Sequence, residues 1–229
     1  MSPRQAYAAF MVLAAGVFLL VRRCTPAPPA VAALPRLDRV ALAGAAFVGG
    51  VFGAKFPFVI GSDLSSEAVW MADGKTITTG LIGAYLAVEL VKWALDIRVK
   101  TGDTFALPLA LALAAGRWGC FFNGCCYGTP TDLPWGTDFG DGVRRHPTQA
   151  YESLFHLAMA GVLVVFTVRG TIPTHRLQFY LIAYALFRFA TEFIRPEPVY
   201  ALGLTYYQWA AAVLALGLAA QWRLESWRP

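Results

Sequence analysis

Tyr184, Arg188, Glu192 and Arg195 recur at intervals of four and three residues through the apolar run Leu177–Ile194 and its edge. At 100° per residue they fall at about 0°, 40°, 80° and 20° around a helix axis, so they share one stripe about 80° wide. Two guanidiniums, a carboxylate and a phenol on one face cannot look at lipid tails and must face a bundle interior or a wet cavity. Glu192 is within reach of Arg188, four residues before it, and of Arg195, three after it, so it can hold one guanidinium in place. The second cation then asks for an anion, and arginine matches phosphate oxygens with two parallel N–H donors. In a membrane that anion is a phospholipid phosphate. The plainer alternative is an ion-paired stripe that only locks helices together.

Two further polar blocks interrupt apolar sequence. Gly116–Gly128 carries Arg117, four glycines and the turn dipeptide Asn123-Gly124; glycine allows positive φ and lets a headgroup approach the backbone. Arg117 is therefore a second candidate phosphate ligand, unless it snorkels from a helix end. Asn123 and Gly128 would line the same place. Arg144–Glu152 opens a helix, with Pro147 in the first turn and His146 at the cap. Gln149 and Glu152 lie one turn apart on one face, and Tyr151 falls near the interface. Nothing in the spacing pairs His146 with a nucleophile, so it reads first as a structural donor.

Cys120, Cys125 and Cys126 could form a disulfide, bind a metal with His146, or stay free. CxxxxCC is not a standard zinc spacing, and neighbours 125 and 126 are poorly placed to bond to each other. Buried free thiols are the expectation, with no metal and no cofactor.

The elements that must position these groups follow from composition. Of 229 residues, 57% are hydrophobic and 14% charged, against about 25% charged in soluble domains; mean hydropathy is +0.52. A soluble enzyme, a disordered chain and a nucleic-acid binder are disfavoured, and the net charge of +5 forms no cluster. Crossing a bilayer takes about 20 mostly apolar residues per helix. Seven runs qualify: Gln5–Val21, Asp38–Ile60, Thr76–Leu95, Thr104–Phe121, Gln149–Val168, Leu177–Ile194 and Val199–Trp222. The expected fold is an all-α integral membrane protein, one seven-transmembrane-helix domain over 1–229, with an outer loop at about 122–146. Placing the N-terminus outside puts eleven of the 19 Lys and Arg residues on the cytoplasmic side, which makes the bundle N-out and C-in. The first run ends in Arg22-Arg23 and not in a small-residue cleavage site, so it is kept as an anchored helix and not a signal peptide. Thr25–Pro35 reads as an extended linker. Glu89 in the third run pairs with Lys92, and Tyr206, Tyr207 and Trp209 suit an interfacial belt.

These blocks resemble the prolipoprotein diacylglyceryl transferase family, whose pattern runs approximately G-R-x-G-N-F-x-N-G-E-x-x-G and then P-T-D-x-P-W-G. The chain has Gly116-Arg117-Trp118-Gly119-Cys120-Phe121-Phe122-Asn123-Gly124-Cys125-Cys126-Tyr127-Gly128, then Pro130-Thr131-Asp132-Leu133-Pro134-Trp135-Gly136. Arg145-His146-Pro147-Thr148-Gln149-Ala150-Tyr151-Glu152 is similar to the family's R-H-P-S/T-Q-x-Y-E, and Tyr184, Arg188, Glu192 and Arg195 to its Y-x-x-x-R-x-x-x-E-x-x-R. Gly53-Ala54-Lys55 is similar to G-A-R, and Tyr7 to an early tyrosine. The likeness covers nearly the whole chain. It departs at Thr78, where the family carries histidine, and at Cys120 and Cys125, where it carries asparagine and glutamate.

The resemblance implies a multi-pass protein of the bacterial cytoplasmic (inner) membrane. It would transfer diacylglyceryl from phosphatidylglycerol to the lipobox cysteine of a preprolipoprotein signal peptide, within the lipid bilayer and without nucleic acid or cofactor. Arg117 and Arg188 would be catalytic. Arg117, Asn123, Gly128, His146, Gln149, Tyr151, Tyr184, Glu192 and Arg195 would bind the phospholipid. The departures leave several routes open: no side-chain base, another acceptor, or His146 or a thiol in the base's place. A paralogue with a different acceptor and a non-catalytic lipid binder are the alternatives.

Overall fold

The computed structural model of the chain describes residues 2–60 and 76–226. Helix α1 (Pro3–Cys24) opens on a capping box: Ser2 Oγ accepts from the Gln5 amide and Gln5 Oε1 from the Ser2 amide, which satisfies two donors that a helix start leaves open. The stretch expected to run as an extended linker instead closes a single turn, α2 (Pro29–Ala32). A proline at the first helical position has its φ preset and needs no partner for a missing N–H. Then come α3 (Arg36–Ile60), α4 (Ile77–Ala94), α5 (Asp103–Phe122), α6 (Thr148–Val168), α7 (Arg176–Thr191) and α8 (Tyr206–Ser226).

Among the described residues six helical segments are long and apolar enough to cross a membrane by length and composition, and the chain is an all-α, multi-pass membrane protein. α8 is not among the six. It also starts at Tyr206 and not at Val199, because Val199 and Thr205 form an antiparallel bridge around a 3-10 turn, Ala201–Gly203. Thr205 then caps the helix reciprocally: its Oγ1 accepts from the Gln208 amide at 3.2 Å, and Gln208 Oε1 accepts from the Thr205 amide at 2.9 Å.

The chain divides into two compact units, Pro28–Lys100 and the remainder. In the first, α3 and α4 meet through glycine. A Cβ built on Gly83 would stand 2.3 Å from the Gly49 carbonyl oxygen, and one on Gly53 would stand 2.3 Å from that of Thr79. Small residues four apart on facing helices are how apolar helices bring backbones together in lipid. Lys92 Nζ sits 3.0 Å from Glu89, as the spacing predicts.

In the second unit α1 lies along α5, where Gly116 and Gly119 face Phe10 and Met11. α6 is tied to α5 by Ser153 Oγ, which donates to the Ala114 carbonyl at 2.9 Å. The loop between α5 and α6 carries a two-residue hairpin, β1 (Thr137–Asp138) against β2 (Arg144–Arg145). Arg144 donates to the carbonyls of Leu133, Pro134 and Gly136, and Asp138 Oδ1 accepts from the amides of Gly140, Asp141 and Gly142. So fastened, the loop is an ordered floor at one end of α5, α6 and α7.

Candidate functional site

Arg117 is on the last turns of α5 and is buried, at 6% exposure. Its Nη2 lies 2.9 Å from Glu152 Oε2 on α6. Glu152 Oε1 accepts from the Tyr184 hydroxyl on α7 at 2.8 Å. Beneath it, His156 Nε2 is 3.9 Å from the same carboxylate, and His156 Nδ1 is 2.8 Å from the Tyr180 hydroxyl. Arg117, Glu152, Tyr184, His156 and Tyr180 thus make one buried polar column across three helices. The arrangement follows from the expense of an unpaired charge in an apolar interior: each ionisable group is matched by a group on a neighbouring helix.

A second column stands beside it. Arg188 Nη2 is 2.8 Å from Glu192 Oε2, and Arg195 Nε is 3.7 Å from that oxygen, so Glu192 does lie between both arginines as the spacing predicts. Glu192 Oε1 accepts from Thr205 Oγ1 at 3.2 Å. The Arg188 guanidinium carbon sits 5.6 Å from the Tyr207 ring centre, a cation–π distance.

Two expectations change here. The stripe is not one continuous α-helix: α7 ends at Thr191, Glu192–Ile194 is a 3-10 turn, and Arg195 is extended at φ −114° and ψ 145°. Arg195 precedes Pro196, and the proline ring disfavours helical backbone in the residue before it. Among the described residues the stripe's surplus cation is not left unpaired either. Arg117 meets Glu152, Arg188 meets Glu192, and Arg195 Nη2 lies 3.3 Å from Glu197 Oε1. What remains for a ligand is not net charge but unused N–H: among the described residues Arg117 Nε and Arg195 Nε are buried without a hydrogen-bond partner, and so is Gln149 Oε1.

The loop presses on both columns. Asn123 ends α5, its amide donating to the Gly119 carbonyl, and the turn continues through Gly124 at φ +65° and Cys126 at φ +64°. Gln149 Nε2 donates to the Cys125 carbonyl at 2.5 Å. The Cys126 carbonyl accepts from Thr148 Oγ1 at 2.6 Å and from Arg195 Nη1 at 3.0 Å. Gly128 is needed for close packing, since a Cβ there would stand 2.5 Å from the Ile194 carbonyl oxygen. His146 Nδ1 is 3.2 Å from the Tyr151 hydroxyl, which accepts from Trp135 Nε1 at 2.7 Å. His146 and Tyr151 therefore sit at the loop's edge, apart from the arginine columns in these contacts. Thr78 is buried on α4, in the other unit.

Burial works against the charge of Arg195, but Cys126 and Glu192 outweigh it and hold the guanidinium more firmly protonated than usual. The Cys126 thiol lies below the ordinary thiol range, because Cys120 and Cys125 hydrogen-bond to it and Arg117 and Arg195 attract its thiolate. All four cysteines are free, and the sulfurs of Cys120, Cys125 and Cys126 lie within 4.8 Å of one another.

Sequence reasoning left Glu152 out of the site and missed His156 and Tyr180. A signal was present: Glu152 and His156 stand four apart in an otherwise apolar span, and each ionisable residue there needs a partner.

A family model described as prolipoprotein diacylglyceryl transferase matches residues 3–223. A phosphatidylglycerol–prolipoprotein diacylglyceryl transferase of Clostridium tetani is 32% identical over 164 residues, covering 66% of this chain and 66% of its own length. The enzyme of that name from Nitrosospira multiformis is 32% identical over 179 residues, 74% of this chain and 61% of its own. That from Clostridioides difficile is 38% identical over 125 residues, 54% and 50%. The chain thus spans between half and about two thirds of the length of these curated relatives.

Proposed function

This chain belongs to the prolipoprotein diacylglyceryl transferase family, and we propose that it transfers diacylglyceryl from phosphatidylglycerol to the lipobox cysteine thiol of preprolipoproteins. The acceptor thiol loses its proton to water, and its sulfur attacks the glyceride carbon that bears the phosphate. The C–S bond forms, the C–O bond breaks, and glycerol 1-phosphate leaves with the electron pair on its oxygen. Arg117 and Arg188 stabilise the leaving dianion. Tyr184, Glu192 and Arg195 with Gln149, Asn123, Gly128, His146 and Tyr151 shape or brace the headgroup site. The observation that carries this reading is the pair of buried arginine columns, in which Arg117 Nε and Arg195 Nε are buried and, among the described residues, lack a hydrogen-bond partner. Donors aimed in advance at developing charge, in a site with little water, are the arrangement that stabilises such a leaving group.

The same reading makes α8 a seventh span of one transmembrane domain in the bacterial cytoplasmic membrane. The N-terminus and the loop at 123–147 lie outside and the C-terminus inside, where most Lys and Arg fall.

The test is a membrane assay with phosphatidylglycerol and a lipobox peptide, paired with complementation of a strain depleted of its own transferase. A peptide mass gain of one diacylglyceryl group, absent from a Cys→Ser peptide, is expected. Lipid bound without any transfer would instead assign a non-catalytic phospholipid-binding role. Transfer to some other acceptor would make the chain a paralogue.

A further inference from the structure

The loop that ends α5 does something the arginine columns do not require: it gathers three sulfurs at one point. Cys120 is on the last turn of α5, and the Cys125 amide folds back to donate to the Cys120 carbonyl at 3.1 Å. Gly124 and Cys126 both take positive φ, which an L-residue such as Cys126 seldom adopts. The turn is held there by hydrogen bonds from outside it: Gln149 to the Cys125 carbonyl, and Thr148 and Arg195 to that of Cys126. The three Sγ atoms end within 4.8 Å of one another, and each cysteine keeps part of its surface open. Sequence spacing alone missed this, because the adjacent pair Cys125-Cys126 converges only after the chain reverses at Gly124.

We infer that Cys120, Cys125 and Cys126 form a three-thiolate site for one thiophilic d10 cation of the zinc class, whose fourth position is open to an acceptor thiol. Zinc–thiolate bonds are about 2.3 Å, so tetrahedral sulfurs stand about 3.8 Å apart, and the cluster closes on an ion with side-chain adjustments of about 1 Å. Among the described residues no fourth His, Cys, Asp or Glu ligand atom joins the group, and three protein ligands with one vacant position is the arrangement of catalytic and not structural zinc. Arg117 Nη1 lies 3.8 Å from Cys120 Sγ, where it offsets thiolate charge. The carbonyl ties of Gln149, Thr148 and Arg195 fix the ligand loop from outside.

The use of the fourth position rests on the transferase reading above. On coordination the acceptor S–H gives its proton to water and becomes a bound thiolate at neutral pH. Its lone pair forms the C–S bond as the C–O bond breaks and the phosphate oxygen takes the electron pair. The thioether product is a weak ligand and leaves. The cation keeps its charge throughout, and nothing is oxidised.

The test uses the full chain in detergent, reduced and freed of metal, titrated with Co(II) as the optical probe and Zn(II) as competitor. About one equivalent of Co(II) should give thiolate charge-transfer absorption and tetrahedral d–d bands, which Zn(II) abolishes. Cys120→Ser and Cys126→Ser should each weaken binding beyond the 10–100-fold of an outer-contact change, and Cys24→Ser should leave it intact. A lipobox peptide should shift the d–d bands, and its Cys→Ser counterpart should not. Absence of stoichiometric Co(II) in the unaltered protein overturns the site without recourse to any variant. So does binding indifferent to Cys126→Ser, or recovery of these sulfurs from cells as a disulfide with no bound metal. Bands unmoved by the peptide overturn the fourth-position assignment. Undiminished transfer by metal-free protein overturns the cation's part and sustains the transferase. A loaded site that responds to the peptide, in a protein that transfers no lipid, sustains the site and refutes the transferase.

Discussion

Arg117 and Glu152 meet at 2.9 Å across α5 and α6, with both side chains less than a tenth exposed, and this ion pair joins the family's glycine–arginine block to its histidine–proline block. Removing one partner of a buried pair leaves an uncompensated charge, whereas replacing both with apolar groups is close to neutral. Glu152→Gln should therefore destabilise by about 3–5 kcal/mol and abolish transfer. The double change Arg117→Met with Glu152→Leu should recover most of the thermal stability in detergent and none of the transfer. Transfer by the double variant would show that Arg117 only holds helices together.

Arg188 has a separate test. Lysine keeps its charge but not the planar fork, so Arg188→Lys should cut transfer by a hundredfold to a thousandfold, about 2.7–4 kcal/mol by analogy with deleted oxyanion donors. Insertion and purification should be unchanged, because the substituted ammonium can still pair with Glu192. Full activity in the lysine variant removes Arg188 from the chemistry.

Packing of α3 on α4 gives a prediction independent of function. Gly83→Val places atoms where the Gly49 carbonyl and Gly53 already lie, at 2.3 and 2.9 Å from the first new carbon. Overpacking of that kind costs about 1–3 kcal/mol or more. Gly161→Ala, with nothing within 4 Å, should hold or raise stability. Thermal melts of the two variants in the same detergent decide it.

The hairpin between α5 and α6 should respond to acid. Asp141 accepts from Arg145 Nη1 at 2.6 Å and from the Val143 amide at 3.2 Å, and these bonds hold its carboxyl below the usual range. A lowered folded pKa contributes stability that is present above the unfolded value, about 3.9, and is lost as pH falls through the folded one. Amide exchange at 139–145, corrected for intrinsic rates, should be flat from neutral pH down to about 4 and accelerate below it. Asp141→Asn should flatten that limb, and an unchanged limb assigns the acid response elsewhere.

Topology can be read with reporter fusions. A tag after the C-terminus should report cytoplasm, and one inserted at 139–142 should report the outside. Both reversed would put the arginine columns at the inner face and refute the N-out arrangement.

Much of this protein is decided by periodicity, which acts over a few residues. Apart from the start of α8, seven residues later than its apolar run, the apolar runs determine where helices form to within a few positions, and a four-residue interval determines that Arg188 meets Glu192, since they stand one turn apart. The proline after Arg195 already bears on that residue's extended backbone, and Thr205 with Gln208 on the start of α8. None of this reaches between helices. The Arg117–Glu152, Glu152–Tyr184 and His156–Tyr180 contacts depend on the rotation and register of three packed helices, α6 being tied to α5 by Ser153. The balance of charge likewise depended on the tertiary structure, because Glu152 counts only where the fold delivers it. The three thiols are the clearest case: adjacent cysteines in sequence diverge in regular backbone, and only a reversal at Gly124, pinned by α6 and Arg195, turns their sulfurs to one point.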